Sequence, residues 1–382
     1  MLPTRTLSTR DVPRGHVEQG REPVDGTPLG RLLICTQAVD QDDPALGFFH
    51  RWLEEFAKHC EMVHVVCLKE GEHHLPENVH VHSLGKEFHQ GPSLVKRAWY
   101  IMRFFRYIWS LRREYDAVFV HMNPEYVALG GILWRLSGKR IGLWYVHRSV
   151  NPWLRIAVLF AKVIFTATKE SMRVRTSKLK VVGHGIDTVF FSPRVGSVLE
   201  KLQLVSVGRL APIKNCDVLI EAAATLRKGG VPVEVTFVGA PTSDAERMYT
   251  GKLHAQVAAL GLSGAVHFAG ASGYGELPDV YRRATATVNL APTGGSDKVV
   301  LESLACGVPV FVSNKAFAPL FGEYAERFMF RERDAADLAD KLGRFLKERD
   351  TSDIAPLTEK VRREYPLPVR IAKIAATLLR LV

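Results

Sequence analysis

Several things are scarce in this 382-residue chain. No stretch approaches the ~20 uninterrupted apolar residues that a bilayer-spanning helix needs, which excludes a membrane-spanning reading. The first thirty residues lack the apolar core of about 7–15 residues found in secretory signals. They are rich in Arg, Pro, Gly, Asp and Glu instead, so residues 1–29 are expected to be a disordered leader. The five cysteines (Cys35, Cys60, Cys67, Cys216 and Cys306) are odd in number and scattered, without a C-x-x-C pair. They read as reduced core residues of a cytosolic protein. Acids are short as well: 40 Asp and Glu stand against 51 Lys and Arg, a formal charge of +11. That surplus implies attraction to something anionic, whether nucleic acid, a phospholipid surface or a phosphorylated small molecule.

What is present is a soluble globular composition, 47% hydrophobic and 24% charged, with room for two domains. From Arg31 onward, apolar strand-like runs at 63–68, 79–83, 117–121, 141–146 and 163–167 alternate with helical patterns at 47–60, 94–114, 124–137 and 152–162. After Phe191-Ser192-Pro193 the alternation restarts. Strands are expected at 203–207, 233–238, 265–268, 286–290 and 308–312, with helices at 215–228, 244–260, 276–284, 298–306 and 334–347. Continuous apolar strands between amphipathic helices indicate parallel sheets covered on both faces. The chain therefore reads as α/β, with two Rossmann-like halves at 30–193 and 194–365 joined by a linker at 193–196. A last helix in 366–382 is expected to pack back on the first half. Ligands of open parallel sheets sit beyond the carboxyl ends of the strands, so two facing halves enclose a cleft.

Two stretches of the second half carry chemistry. In Val207-Gly-Arg-Leu-Ala-Pro-Ile-Lys-Asn215 a strand ends, Gly208 lets the backbone approach a ligand, and Arg209 and Lys214 follow five residues apart. Arg as a planar fork and Lys as a point charge suit two phosphates. In the run from Leu290 to Val310, a loop with Thr293, Gly294 and Gly295 leads into a helix starting near Lys298 and ending at Gly307. A helix N-terminus with free N–H groups attracts phosphate. Glu302, about one turn inside and flanked by Leu301 and Leu304, reads as a half-buried carboxylate able to accept from ribose hydroxyls.

Those residues carry a resemblance. G-R-L-x-x-x-K-N, the Val238-Gly239 loop, V-H-F-A-G at 266–270 and V-V-L-E-S-L-A-C-G-V-P-V are similar to glycosyltransferase family 4, retaining enzymes of the GT-B fold. Val182-Gly-His-Gly-Ile-Asp-Thr-Val-Phe-Phe-Ser-Pro193 resembles that family's G-V-D-x-x-x-F-x-P stretch. The resemblance implies that Arg209 and Lys214 hold the diphosphate of a nucleotide-sugar co-substrate, Glu302 its ribose, and Gly208, Gly239, Thr293, Gly294 and Gly295 the rest of the donor. The family pattern has a second Glu eight positions before Glu302, beside the donor sugar; here that position is Gly294. The resemblance also assigns the acceptor to the first domain and a histidine to the outer hydroxyls of the donor sugar. His147, after the strand ending at 146, is the match, with His121, also a candidate for the acceptor side, and His184 as other candidates. Gly47 is expected to bring main-chain N–H groups to the phosphate, and Asp42 and Asp43 either meet acceptor hydroxyls or cap the following helix.

No D-x-D pair of strand-end carboxylates suited to bridging Mg2+ to a diphosphate is read in the sequence, so no essential metal or other cofactor is expected. By resemblance the reaction is a front-face substitution, in which the departing phosphate oxygen takes the proton of the incoming hydroxyl. The acceptor is expected to be a lipid-linked or cell-envelope glycan precursor. Residues 94–113 are basic, aromatic and free of acids. On a helix, Lys96, Arg103, Arg106 and Arg113 share about a 100° arc, with Ile101, Phe104, Phe105, Ile108 and Trp109 opposite. Such a helix either packs its apolar side on the sheet or also presents its cations to an anionic membrane. The protein is thus expected in the cytoplasm, with peripheral contact to the inner membrane face. No nucleic-acid reader motif appears. Two rival readings remain: a nucleotide-sugar-binding protein with weak transfer, suggested by Gly294, and a nucleotide-sugar epimerase or hydrolase of the same fold.

Overall fold

The computed structural model describes residues 29–88, 92–193, 202–295, 297–348 and 354–380. The expected leader, up to residue 28, and the linker beyond Pro193 lie outside the described residues.

The first domain alternates strand and helix. It runs β1 (Arg31–Val39), α1 (Phe48–His59), β2 (Met62–Glu70), β3 (Val79–Ser83), α2 (Ser93–Ser110), β4 (Ala117–His121) and α3 (Pro124–Leu136). It continues with β5 (Arg140–Trp144), α4 (Pro152–Phe160), β6 (Val163–Thr166) and β7 (Leu179–Val181). These strands form one seven-stranded parallel sheet in the order β3-β2-β1-β4-β5-β6-β7. The apolar strand residues divide between its faces. Leu32, Ile34, Phe119 and Phe165 join α1 in one core, while Leu33, Cys35, Val120 and Leu143 meet α2, α3 and α4 in another. All five cysteines are free and buried.

The second domain runs β8 (Leu202–Val207), α5 (Cys216–Lys228), β9 (Val233–Val238), α6 (Asp244–Ala259), β10 (Val266–Gly270) and α7 (Leu277–Arg282). Then follow β11 (Ala286–Asn289), α8 (Lys298–Ala305), β12 (Val310–Val312) and two short helices, α9 (Ala318–Phe321) and α10 (Ala325–Phe328). It closes with α11 (Ala335–Glu348) and α12 (Ala355–Glu364). Its five parallel strands are ordered β10-β9-β8-β11-β12. The chain then returns to the first domain, where Leu367, Ile371, Ile374 and Leu378 of α13 (Leu367–Leu379) pack into the α1 side of the core.

Each sheet has one place where the strand order reverses, β1/β4 in the first and β8/β11 in the second. Loops leaving the carboxyl ends of strands diverge there and leave a crevice. The two crevices meet. Lys298 reaches over the Phe48 ring, and the Arg148 guanidinium donates to Thr293 O at 2.7 Å.

Candidate functional site

The two expected phosphate-binding cations both sit in the β8–α5 loop, and each already holds a carboxylate. Arg209 donates to Glu246 Oε1 at 2.6 Å and to Thr242 Oγ1 at 3.3 Å, with its side chain 52% exposed. The Lys214 ammonium pairs with Asp297, which also accepts from Asn289 Nδ2 at 3.0 Å. Burial works to raise the Asp297 carboxyl, but Lys214 and the Asn289 bond outweigh it and hold the group below the ordinary carboxylate range. Glu246 is held low in the same way: the Thr242 amide and hydroxyl and Arg209 overcome its burial. An anion would have to compete with two carboxylates for these two cations.

Asp297 occupies the N-cap position of α8, yet its carboxylate is turned to Lys214 and makes no cap. The first N–H groups of α8 thus lack a side-chain acceptor, the arrangement that favours an anion. Beside them, the Lys298 Nζ is buried 2.6 Å from the Phe48 ring centroid and has no hydrogen-bond partner. Burial pulls its ammonium down from the usual lysine range, against the attraction of Glu302 one turn on.

Glu302 is fully buried rather than half-buried, because Leu301 and Leu304 carry α8 into the core. Its Oε2 accepts from the Tyr281 hydroxyl at 2.8 Å, and burial raises its carboxyl. A ribose hydroxyl reaching this carboxylate would meet a group already anchored by Tyr281.

Gly294 has φ +123, a conformation that side chains rarely adopt. A Cβ there would fall 2.5 Å from the Arg148 guanidinium, so the space beside residue 294 belongs to a cation from the first domain. Around it Thr293 Oγ1 accepts from the Lys315 amide at 3.1 Å, while Gly295 has open space where a Cβ would lie.

Three expected glycine sites have their N–H groups already engaged. The Gly208 and Gly239 N–H groups donate to Val238 O and Gly270 O, so neither amide is free for a ligand. The two glycines face each other instead: a Cβ on Gly239 would fall 2.0 Å from Gly208 O, and only bare backbone allows the β8 and β9 loops to touch. The Gly47 N–H donates to Asp43 O, and a Cβ there would strike Gln41 O, Asp43 O and Tyr274 Cβ at 2.6–2.9 Å. Gly47 admits a close domain contact rather than a phosphate.

On the first domain, His147 is exposed and its Nδ1 accepts from the Ser149 amide at 3.0 Å. His121 is corrected as an acceptor-side residue. It is 2% exposed and stacks on Phe49 with ring centroids 4.1 Å apart. Burial, then the Lys298 charge, pushes its imidazole down to about 3, and it stays neutral. His184 is buried against Trp144. Asp43 caps a turn, its Oδ1 accepting from the Ala45 and Leu46 amides at 2.9 and 2.8 Å, whereas Asp42 is exposed. Asp40-Gln41-Asp42 directly after β1 does spell a D-x-D. Its Asp40 carboxylate is engaged by Lys69 at 3.1 Å and by the Asp42 amide. Among the described residues no group of three or more His, Cys, Asp or Glu side chains is placed to hold a metal ion.

Glu246, Asp297, Arg148, Lys298 and Tyr281 escape sequence reasoning. Glu246 and Asp297 lie 37 and 83 residues from the cations they meet, and Arg148 lies 145 from Thr293. A faint signal existed for two of them: Asp297 and Lys298 are, with Glu302, the charged residues of the run from Leu290 to Val310.

With this geometry in place, comparison with known proteins locates the site in a described domain. Residues 190–361 match the family model "Glycosyl transferases group 1". A D-inositol 3-phosphate glycosyltransferase of Acidothermus cellulolyticus is 33% identical over 145 residues, 35% of this chain and 32% of that protein. The Escherichia coli K12 protein described as putative colanic acid biosynthesis glycosyltransferase WcaL is 26% identical over 203 residues, 51% of this chain and 48% of that one. The chain thus spans about a third to a half of the length of these relatives. Among solved structures, Anabaena HepE in complex with UDP-glucose superposes with a TM-score of 0.72 at 18% identity, over 92% of this chain and 100% of that one. The Thermosynechococcus elongatus sucrose-phosphate synthase gives 0.70 at 14% identity, over 92% and 98%. Two parallel-sheet domains facing a cleft are the GT-B fold, and the stretch that is similar to the group 1 glycosyl transferases, residues 190–361, holds its second sheet.

Proposed function

We propose that the protein is a metal-independent, retaining glycosyltransferase of the hexosyltransferase type. It moves a sugar from a nucleotide-diphosphate sugar to a hydroxyl acceptor, a lipid-linked or cell-envelope glycan precursor, at the cytoplasmic face of a membrane. One observation carries the reading: Arg209, Lys214 and the uncapped N-terminus of α8 gather at the carboxyl ends of β8 and β11, opposite His147 and Arg148. Both domains then contribute to one anion-binding cleft.

In this reading the bond between the anomeric carbon and the phosphate oxygen breaks, and a bond to the acceptor oxygen forms on the same face. The acceptor proton passes to the departing phosphate. The chain's own work is to neutralise the leaving diphosphate with Arg209, Lys214 and helix dipole, to hold ribose through Glu302, and to orient the sugar near His147. WcaL and the inositol-phosphate enzymes, by their names, act in glycan and glycoside assembly, and HepE is seen with UDP-glucose; both support a nucleotide-sugar donor.

A second reading, a nucleotide-sugar binder with weak transfer, is favoured by Arg148 filling the space beside Gly294. A donor panel separates these readings. Acceptor-dependent nucleotide release in the presence of a lipid extract supports transfer. Release without acceptor points to hydrolysis, and binding without release to the binder. Arg209→Ala and Lys214→Ala should each abolish release, and full turnover in both would refute the phosphate assignment.

A further inference from the structure

Twelve of the twenty exposed large hydrophobic side chains among the described residues lie on just three helices, α2, α3 and α4. These helices cover one face of the first sheet, where Phe104, Ile108, Trp134 and Leu154 fill its core. Their outer sides stay apolar. The 18-residue α2 buries only Phe104 and Ile108, while Leu94, Ile101, Met102, Phe105 and Trp109 are 38–79% exposed. The surface continues through Ile132 and Leu136 of α3 and Trp153, Ile156 and Leu159 of α4. A helix that only covers a sheet turns its apolar arc inward. An outward apolar surface of this extent marks a contact site.

Charge decides what fits it. The three helices carry six Lys or Arg and a single acid, Glu125, and Arg97, Arg106, Arg135 and Arg155 are exposed. A second copy of the same face would bring cation against cation. An anionic bilayer surface suits both features, with aromatic and aliphatic groups at the acyl boundary and guanidinium groups among lipid phosphates.

The same face holds a cavity of about 710 Å³. Ile101, Arg97 and Trp153 line it at the outer surface, and Gln37, Asn123 and His147 line it at the strand ends. It therefore joins the apolar face to the cleft. We infer that the outer face of α2, α3 and α4 rests on an anionic membrane, and that this cavity admits a lipid-anchored hydroxyl acceptor to the cleft from the bilayer plane. The inference rests on the transferase reading and adds where the acceptor comes from and how it enters.

Vesicles test the surface without any donor. The full chain should co-sediment with phosphatidylglycerol–phosphatidylcholine vesicles, less so with pure phosphatidylcholine, and less as salt rises. Brominated acyl chains should quench its tryptophan fluorescence. The doubly substituted Phe105→Glu, Trp109→Glu protein should lose vesicle binding ~tenfold, with its thermal shift by nucleoside diphosphates unchanged. Leu129→Trp, inside the cavity, and Ile101→Trp, at its mouth, test the entrance. Leu129→Trp should bind vesicles as the parent does and Ile101→Trp at least as tightly, since an indole suits the acyl boundary, yet both should transfer to acceptors in lipid extract ~tenfold more slowly. Vesicle binding indifferent to anionic lipid, a stable dimer that buries this face, or full lipid-acceptor turnover in both tryptophan variants overturns the inference. If the parent shows no thermal shift with any nucleoside diphosphate, it is the donor reading that fails, while the vesicle result still judges the surface.

Discussion

The Arg148 guanidinium occupies the space into which any side chain on residue 294 would project, and Gly294 meets it with φ +123. The residues come from different domains, and Arg148 Nη1 completes the contact by donating to Thr293 O. A group of one charge sign is therefore built into the cleft where the resemblance leads one to expect the other. Gly294→Ala should lower stability by about 1–3 kcal/mol through backbone strain and displacement of Arg148. Part of that cost is steric, so it should shrink in an Arg148→Ala background. Thermal denaturation of the four proteins reads the coupling. An equal cost in both backgrounds would show that Arg148 does not fill that space.

Lys214 and Asp297 form a pair that, on the proposed function, has to open for a diphosphate to bind. Each side chain is only about a quarter exposed. Lys214→Ala leaves the Asp297 carboxylate without its cation and should cost about 2 kcal/mol besides abolishing turnover. Asp297→Asn in the same chain removes the stranded charge and should restore most of the stability but none of the turnover. Because Lys214 holds the Asp297 carboxyl low, its contribution is present above the ordinary carboxylate pKa and lost as pH falls through the folded value. The Lys214→Ala protein should therefore show a smaller loss of melting temperature on acidification than the parent. Parallel curves would mean the pair contributes nothing to the fold.

Tyr281 is a positioning residue for Glu302. Its hydroxyl donates to this core-buried carboxylate, and the two are 21 residues apart. Tyr281→Phe should destabilise the protein by about 1–2 kcal/mol and raise the donor KM with little change in kcat, since ribose is gripped alike before and during transfer. A fall in kcat at constant KM would instead place Glu302 in the chemistry.

The sheet-and-helix alternation is legible in the sequence because parallel strands buried on both faces are unbroken apolar runs, as in Val233–Val238 and Ala117–His121. Local physics fails at the margins. Edge strand β7, Leu179–Val181, is three residues long with a central Lys180 and is largely exposed, so it carries no apolar run to read. Helix α2 stops at Ser110, short of residue 114, where the chain turns through Leu111–Arg113. For the site, Arg209, Lys214 and Glu302 are marked by strand ends and a helix start. Whether a glycine amide is free is not: the hydrogen bonds that occupy Gly47, Gly208 and Gly239 depend on which loops meet. His121 illustrates the same limit, since a strand-end histidine looks functional until Phe49 is known to stack on it.

Lys298 is the sharpest case of a residue kept against stability. A buried ammonium without a hydrogen-bond partner costs folding free energy. Lys298→Met, similar in length, should therefore raise the melting temperature while reducing the further rise that a nucleoside diphosphate produces, since an anion at the α8 N-terminus loses a neighbouring cation. The pH dependence has a definite sign. Burial lowers the folded Lys298 pKa below its unfolded value, so the folded state releases this proton first and gains stability as pH climbs between the two values. Glu302, one turn along α8, and neutral His121 on the facing strand are the other titratable groups that interact with it. The advantage of the Met variant should thus be largest in neutral to acidic solution and fade toward alkaline pH. Melting curves of both proteins across that range, with and without UDP, provide the measurement. A Met variant less stable than the parent at every pH, with its UDP shift intact, would make Lys298 a structural residue and remove it from the anion site.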